Sequence, residues 1–270
     1  MSKLQGLKDT LASMESALVA FSGGVDSTFL LKVAKDVLGD NVVAVTATSV
    51  TYPSHEVDGA LTLVRQLGVR HTTIHTDEFS NDKFAENSKD RCYWCKKELF
   101  GKLWELAREY GLKNVLDGSN FDDTKDHRPG MKAAGELGVR SPLIEAELTK
   151  DEIRSFSKEL GLPTWGKPSF ACLSSRFPYG TRITEEGLTR VGKAEQFLRE
   201  LGLSQLRVRH YNETARIEVL KEDMHRMVDE KTRNQVLSLL KNLGYTYITL
   251  DLEGFRTGSM NEVLSDEDKA

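Results

Sequence analysis

The chain has 270 residues with a formal net charge of −4; 39% of its residues are hydrophobic and 29% charged. That composition suits a water-soluble folded protein and is long enough for one large domain or two modest ones. It argues against extensive nucleic-acid binding, which favours a basic excess, and no apolar run approaches the roughly 20 residues of a membrane span. Residues 1–21 lack a signal-peptide layout, because Lys, Asp and Glu interrupt any apolar stretch. A cytoplasmic, reducing location is therefore expected, where cysteines at C-x-x-C spacing serve as metal ligands or redox groups more readily than as disulfides.

Residues 2–14 read as a short amphipathic helix, and ALVAF (17–21) as a buried parallel strand, being apolar on both faces. From Asp26 the period changes: Leu30, Val33, Ala34 and Val37 form a helical stripe. VVAVTA (42–47) is a second strand, residues 55–68 a helix, and HTTIHT (71–76) a third strand. A helix over about 88–110 carries Cys92 and Cys95, NVLDG (114–118) is a fourth strand, and residues 121–130 are a polar loop at its carboxyl end. Thr149-Lys-Asp-Glu152 is a capping box opening a helix that ends at Leu160 before Gly-Leu-Pro. Strands alternating with helices predict an α/β fold with a doubly wound parallel sheet. Beyond a Pro-, Gly- and Ser-rich stretch follow a helix (184–201), strands LRVRHY and TARIEV joined by a turn at Asn212-Glu213, a helix over about 221–243 and a strand YTYITLDL. These predict a smaller α+β domain built on an antiparallel hairpin. The expected boundaries are 1–167, a linker 168–183 carrying Cys172, a second domain 184–262 and an acidic tail 263–270.

SGGVDS (22–27) follows a buried strand and opens a helix. Its glycines allow a tight turn and close approach of a ligand. The unpaired N–H groups of the helix start favour an anion, and Ser22 and Ser27 add hydroxyls. The loop has neither the lysine of a Walker motif nor the G-x-G-x-x-G spacing, so neither a P-loop NTPase nor a dinucleotide dehydrogenase is indicated; a plain strand-to-helix turn is the alternative. Asp122 and Asp123, in the loop after the fourth strand, suit Mg²⁺ or plain solvation. Arg128 and Arg176 suit phosphate or a surface position. On LRVRHY, period two puts Arg207 and Arg209 on one face, where they suit a phosphate or carboxylate, or a pairing with Glu218 across the hairpin.

Ser-Gly-Gly-Val-Asp-Ser in this setting resembles the pyrophosphate loop of the N-type ATP pyrophosphatases, which cleave ATP to AMP and pyrophosphate and adenylylate a carboxyl or carbonyl oxygen. The resemblance implies that Ser22, Gly23, Gly24 and Ser27 hold the pyrophosphate and that Asp26 supports the loop or Mg²⁺. The phrases FSGGVDST, LDG…DHRPGMKA, SSRFPYGT, RVRHYNETARIE and YITLDLEGFRTGSMN extend it. Together they resemble, over essentially the whole chain, the sulfur-inserting enzymes of nickel-pincer nucleotide cofactor synthesis, the LarE family. These adenylylate a carboxylate of pyridinium-3,5-biscarboxylic acid mononucleotide and replace AMP by sulfur. The resemblance implies ATP and Mg²⁺ as cofactors, a nucleotide substrate held by Arg207 and Arg209, a role for Glu195 and Glu218 on the substrate or metal side, and a homo-oligomer of up to six chains.

The chain has three cysteines, Cys92, Cys95 and Cys172. Cys92 and Cys95, at i and i+3, share a helix face. Three soft thiolates suit iron–sulfur or zinc and leave an open position. A Cys92–Cys95 redox pair, a zinc site completed by His71, His75 or His127, and plain buried cysteines are the alternatives. One branch of the resembling family sacrifices a cysteine sulfur, at a position that falls on Ala171 here. The other has three cysteines, which implies a 4Fe–4S cluster on Cys92, Cys95 and Cys172 that receives external sulfide. The alternatives for function are thiolation of tRNA, a non-catalytic redox-sensing adenylate-binding protein and, more weakly, an amidotransferase.

Overall fold

Alternation within the strands decides how the first part of the chain is layered. The computed structural model describes residues 2–125, 128–256 and 258–265. His127 and the tail residues 266–270 lie outside the described residues. The described residues divide into two units: one holds residues up to Phe84 together with Lys89–Phe170, the other Ala85–Ser88 and the described residues from Ala171 to Ser265.

In the first unit, β1 (Ala17–Ala20), β2 (Val42–Thr48), β3 (Arg70–His75) and β4 (Asn114–Leu116) form a parallel sheet in the order β3-β2-β1-β4. Side chains at successive strand positions face opposite ways. Ala17 and Val19 of β1, with Val42 and Ala44 of β2, join one core; Leu18, Val43 and Val45 join the other. The first core takes in α1 (Lys3–Ala12), α2 (Val25–Leu38), α3 (Ser54–Gln66), the single turn α7 (Pro142–Glu145) and α8 (Lys150–Glu159). The second takes in α5 (Arg91–Glu109) and α6 (Pro129–Glu136); α4 (Asp82–Ala85) is one turn leading to α5. The doubly wound sheet expected from the sequence is thus observed. The capping box is present too: Thr149 Oγ1 accepts from Glu152 N and Glu152 Oε2 from Thr149 N. The loop expected over 121–130 instead holds a 3₁₀ turn, Phe121–Lys125, and the start of α6, which Pro129 opens.

In the second unit, α9 (Glu185–Glu200) precedes the hairpin β5 (Leu206–Tyr211) and β6 (Thr214–Val219), paired antiparallel from Leu206↔Val219 to Tyr211↔Thr214. Asn212 makes the turn at φ +52°, a left-handed conformation that Asn tolerates. β7 (Tyr247–Leu250) adds to β6 in parallel. Ala194 and Leu198 of α9, Leu206 and Val208 of β5, Ile217 of β6 and Leu240 form its core. The helix expected over 221–243 is broken into a 3₁₀ turn, α10 (Met224–Val228) and α11 (Glu230–Asn242). Asp229 leaves the helical conformation there (φ −54°, ψ 134°) and its carboxylate accepts from Thr232 N, so an N-cap interrupts the helical period. Around Cys172 the backbone forms a 3₁₀ turn, Leu173–Arg176, and Leu173, Arg176, Phe177 and Ile183 are buried.

Candidate active site

Strand order reverses at β1, whose neighbours β2 and β4 connect in opposite directions, and the loop after β1 opens at that switch point. Gly23 (φ +69°) faces α3 so closely that a Cβ there would lie 2.9 Å from Ala60 Cβ. A Cβ on Gly118, after β4, would lie 3.1 Å from Ser27 N. A side chain at Gly23 would force α3 away, and one at Gly118 would make the loop give by a few tenths of an ångström. Within it, Ser22 N donates to Ser27 Oγ (3.3 Å), the two serine hydroxyls lie 3.1 Å apart, and Gly24, the N-cap of α2, has no side chain to satisfy the helix N–H groups. Those donors, the hydroxyls and the helix dipole make an anion cradle.

Charged groups converge on this cradle. One carboxylate oxygen of Asp26 pairs with Lys150, the first residue of α8, while Oδ1 is buried with no hydrogen bond among the described residues. Burial pushes Asp26 above the ordinary carboxylate range; Lys150 opposes the shift and Asp123 adds to it. Asp123 is anchored by Asn120 N (3.0 Å) and Arg128 (2.7 Å), and Asp122 accepts from Lys150 N (2.9 Å). Lys167 Nζ donates to Gly23 O (3.1 Å) and to Glu56 Oε2 (2.7 Å). The cavity above the loop measures about 440 Å³. Phe21, Val45, Ala47 and Tyr52 give it an apolar wall, and Ser22, Asp26, Ser27 and Asp123 a polar one.

Cys92 is exposed at the start of α5 and lines the same cavity, as does Arg128; Cys95 is half-buried one turn on. Cys172 is half-buried in the second unit. It precedes the 3₁₀ turn Leu173–Arg176, and its carbonyl accepts from Ser175 N (3.1 Å), Ser175 Oγ (2.8 Å) and Arg176 Nη1 (3.2 Å). Among the described residues no three His, Cys, Asp or Glu side chains are gathered as a metal centre. His71 Nε2 instead lies 3.0 Å from Thr46 Oγ1 on β2.

Comparison with known proteins decides the family. The family model described as NAD synthase matches residues 4–98, from α1 to the first turns of α5. An uncharacterized protein of Synechocystis sp. is 46% identical over 98% of this chain and 98% of its own length. The pyridinium-3,5-bisthiocarboxylic acid mononucleotide synthase of Lactiplantibacillus plantarum is 43% identical over 94% of this chain and 92% of its own. The chain belongs to the family of this synthase. A more distant relative, an uncharacterized protein of Methanocaldococcus jannaschii, is 28% identical over 95% of the chain. As a member of the synthase family, the protein is an ATP-dependent enzyme of the PP-loop ATP pyrophosphatase class.

The arginines of the second unit sit deeper than strand alternation alone suggests. Arg209 is 0% exposed. It binds both oxygens of Glu218 (2.8 and 3.0 Å) and donates to Ser175 O and Ser259 Oγ, each at 2.7 Å. Arg176, read from sequence as suited to phosphate or to the surface, binds both oxygens of Glu195 (2.7 and 3.0 Å) and donates to the carbonyls of Ala171 (2.8 Å) and Cys172. The nitrogens of both guanidiniums are thereby committed to the protein, and both arginines hold structure together. Arg207 keeps more capacity. It is 8% exposed, donates to Arg256 O (3.1 Å) and stacks on Phe255. Burial, with Arg209 and Arg176 beside it, lowers its pKa to about 10. Sequence reasoning missed Lys150, Lys167 and Glu56. The capping box places Lys150 at a helix start, but nothing local signals that either lysine reaches a loop more than a hundred residues earlier.

Proposed function

We propose that this protein adenylylates a carboxylate of pyridinium-3,5-biscarboxylic acid mononucleotide with ATP and converts it to a thiocarboxylate, a step in building the nickel-pincer nucleotide cofactor. The near-full-length relationship to the synthase carries the reading. It is supported by a cavity whose walls include both the phosphate loop and Cys92. The apolar wall of Phe21, Val45 and Tyr52 suits a nucleobase. The loop N–H groups, with Ser22 and Ser27, hold the triphosphate tail. A substrate carboxylate oxygen attacks the α-phosphorus, the bond to the bridging oxygen breaks, and pyrophosphate leaves into donors already in place. Hydrosulfide then attacks the acyl carbon, AMP departs with the bonding pair, and a proton is released.

Asp26 and Asp123 would hold Mg²⁺: Oδ1 of Asp26, without a partner among the described residues, is the kind of buried acceptor a cation satisfies. The ion, when bound, neutralises charge on the leaving pyrophosphate. Cys92, Cys95 and Cys172 would hold a 4Fe–4S cluster, which, when bound, offers an open iron to external sulfide; three soft thiolates fit that chemistry, and Ala171 stands where the sacrificial enzymes of the family carry their donor cysteine. Arg207, with donors to spare, is the better of the two strand arginines for the substrate's phosphate or carboxylate. A homo-oligomer of up to six chains in the cytoplasm completes the reading.

Anaerobic reconstitution with iron and sulfide tests it. Expected are iron on the three cysteines and pyrophosphate release that depends on the pyridinium dicarboxylate, with thiocarboxylate detected by mass. A protein that binds no iron yet makes thiocarboxylate at the expense of its own cysteine sulfur refutes the cluster route. One that binds ATP but releases no pyrophosphate with that substrate is a non-catalytic adenylate binder.

A further inference from the structure

The phosphate loop, SGGVDS, contains no lysine, whereas Walker-type loops carry one that reaches the β- and γ-phosphates. A lysine nevertheless arrives at it from far along the chain. Lys167 Nζ donates to the carbonyl of Gly23 at 3.1 Å and to Glu56 Oε2 at 2.7 Å. An ammonium has three donors. Two are used in these contacts among the described residues, and the side chain is 26% exposed, so one N–H remains for a ligand.

The backbone behind this ammonium is pinned. Arg154, on α8, donates to the carbonyls of Trp165 (2.6 Å) and Lys167 (2.9 Å), and Lys167 N donates to Thr164 O (2.9 Å). The partner carboxylate matters as much as the cation. Glu56 stands in the first turn of α3 and lines the cavity beside Ser22 and Gly24. Unpaired, it would repel a polyphosphate lying on the loop. His55 Nε2 lies 3.6 Å from its Oε1, and Lys167 occupies its Oε2. Lys150 is engaged with Asp26, which leaves the Gly23 side of the loop to Lys167.

We infer that Lys167 supplies the phosphate-contacting ammonium that the loop motif lacks, donating to the β- and γ-phosphates of ATP while its pairing with Glu56 cancels a charge that would repel them. The inference rests on the ATP reading of the loop.

Calorimetric titration of the full-length chain with inorganic pyrophosphate, ATP and adenosine, in the presence of Mg²⁺, tests it. Lys167→Met is expected to weaken pyrophosphate and ATP by roughly 10- to 100-fold, the scale of one charge-assisted hydrogen bond, without weakening adenosine. Glu56→Gln is expected to tighten pyrophosphate, and the double variant to recover part of the loss. Lys167→Met that binds pyrophosphate like the unaltered chain, or that loses adenosine in equal proportion, overturns the inference; the second result would mark a purely structural lysine. Should Lys167→Met fail to fold, Glu56→Gln decides alone, and unchanged or weaker pyrophosphate binding overturns the proposal. An unaltered chain that binds adenosine but neither ATP nor pyrophosphate would overturn the ATP reading itself, and this inference with it.

Discussion

Glu195 has no exposed surface, yet it is held ionised. Burial alone would raise its pKa. Arg176, Arg199 and the N–H of Val208 outweigh that and leave it below its ordinary value of 4.5. The carboxylate in turn fixes Arg176, which grips the carbonyls of Ala171 and Cys172. Glu195→Gln should therefore cost about 3 kcal/mol in urea unfolding, because it leaves buried guanidinium without its counter-ion. It should also raise the alkylation rate of Cys172 relative to Cys92 and Cys95 in mass-mapped labelling; an unchanged ratio would refute the positioning role. Because the folded pKa is depressed, the stabilisation is complete above 4.5 and fades as pH falls through the lower folded value. The stability gap between the natural chain and Glu195→Gln should shrink only in that acid range.

Asp26 shows the opposite balance. Its raised pKa means that the folded state binds its proton more tightly than the unfolded chain does, so the ionised form weakens the fold. Asp26→Asn should leave the melting temperature equal or higher, while pyrophosphate release from MgATP falls by roughly 100-fold or more if the carboxylate serves as the cation ligand proposed above. Loss of both stability and activity would argue that Asp26 serves the loop's structure alone.

Among elements, the loop after β1 depends most on geometry. Gly23 combines a left-handed φ of +69° with a 2.9 Å approach to Ala60. Gly23→Ala must therefore strain the backbone and push α3 away, at a cost of about 1–3 kcal/mol. It should weaken pyrophosphate more than adenosine in the same titrations. Most helices and strands were legible because their periods are local: the stripe of α2, the apolar runs of β1 and β2 and the capping box of α8 need no distant partner. The exceptions have physical causes. The period running through 221–243 hides the cap at Asp229, whose carboxylate ends one helix and starts the next. The polar loop reading of 121–130 misses the start of α6, a short helix whose small Ala134 joins the core on the second face of the sheet. β7 reads as a strand, but its parallel pairing with β6 follows from where α11 returns the chain.

At the scale of the whole molecule, the sheet order β3-β2-β1-β4 places the phosphate loop at a crevice. The net charge of −4 makes tRNA a poor partner, since binding to it is driven by cation contacts that release counterions. A gel-shift titration with tRNA at about 0.1 M salt should show no saturable complex; tight, salt-sensitive binding would reopen the thiolation of tRNA as the function.

The sequence by itself determined the doubly wound architecture, the hairpin of the second unit and the glycine-rich loop between the first strand and its helix. Each is written in local period, in glycine spacing or in the step from strand to helix. Only the tertiary structure decided what the charged residues do. Arg209 and Arg207 alternate identically on one strand, yet Glu218, Ser175 and Ser259 engage every nitrogen of the first, while the second keeps donors to spare. Lys167 lies in a stretch that reads as loop, yet its ammonium rests on Gly23. A side chain's charge is set by its own identity; its partner, and hence its role, is set by residues that folding brings within hydrogen-bond reach from far along the chain.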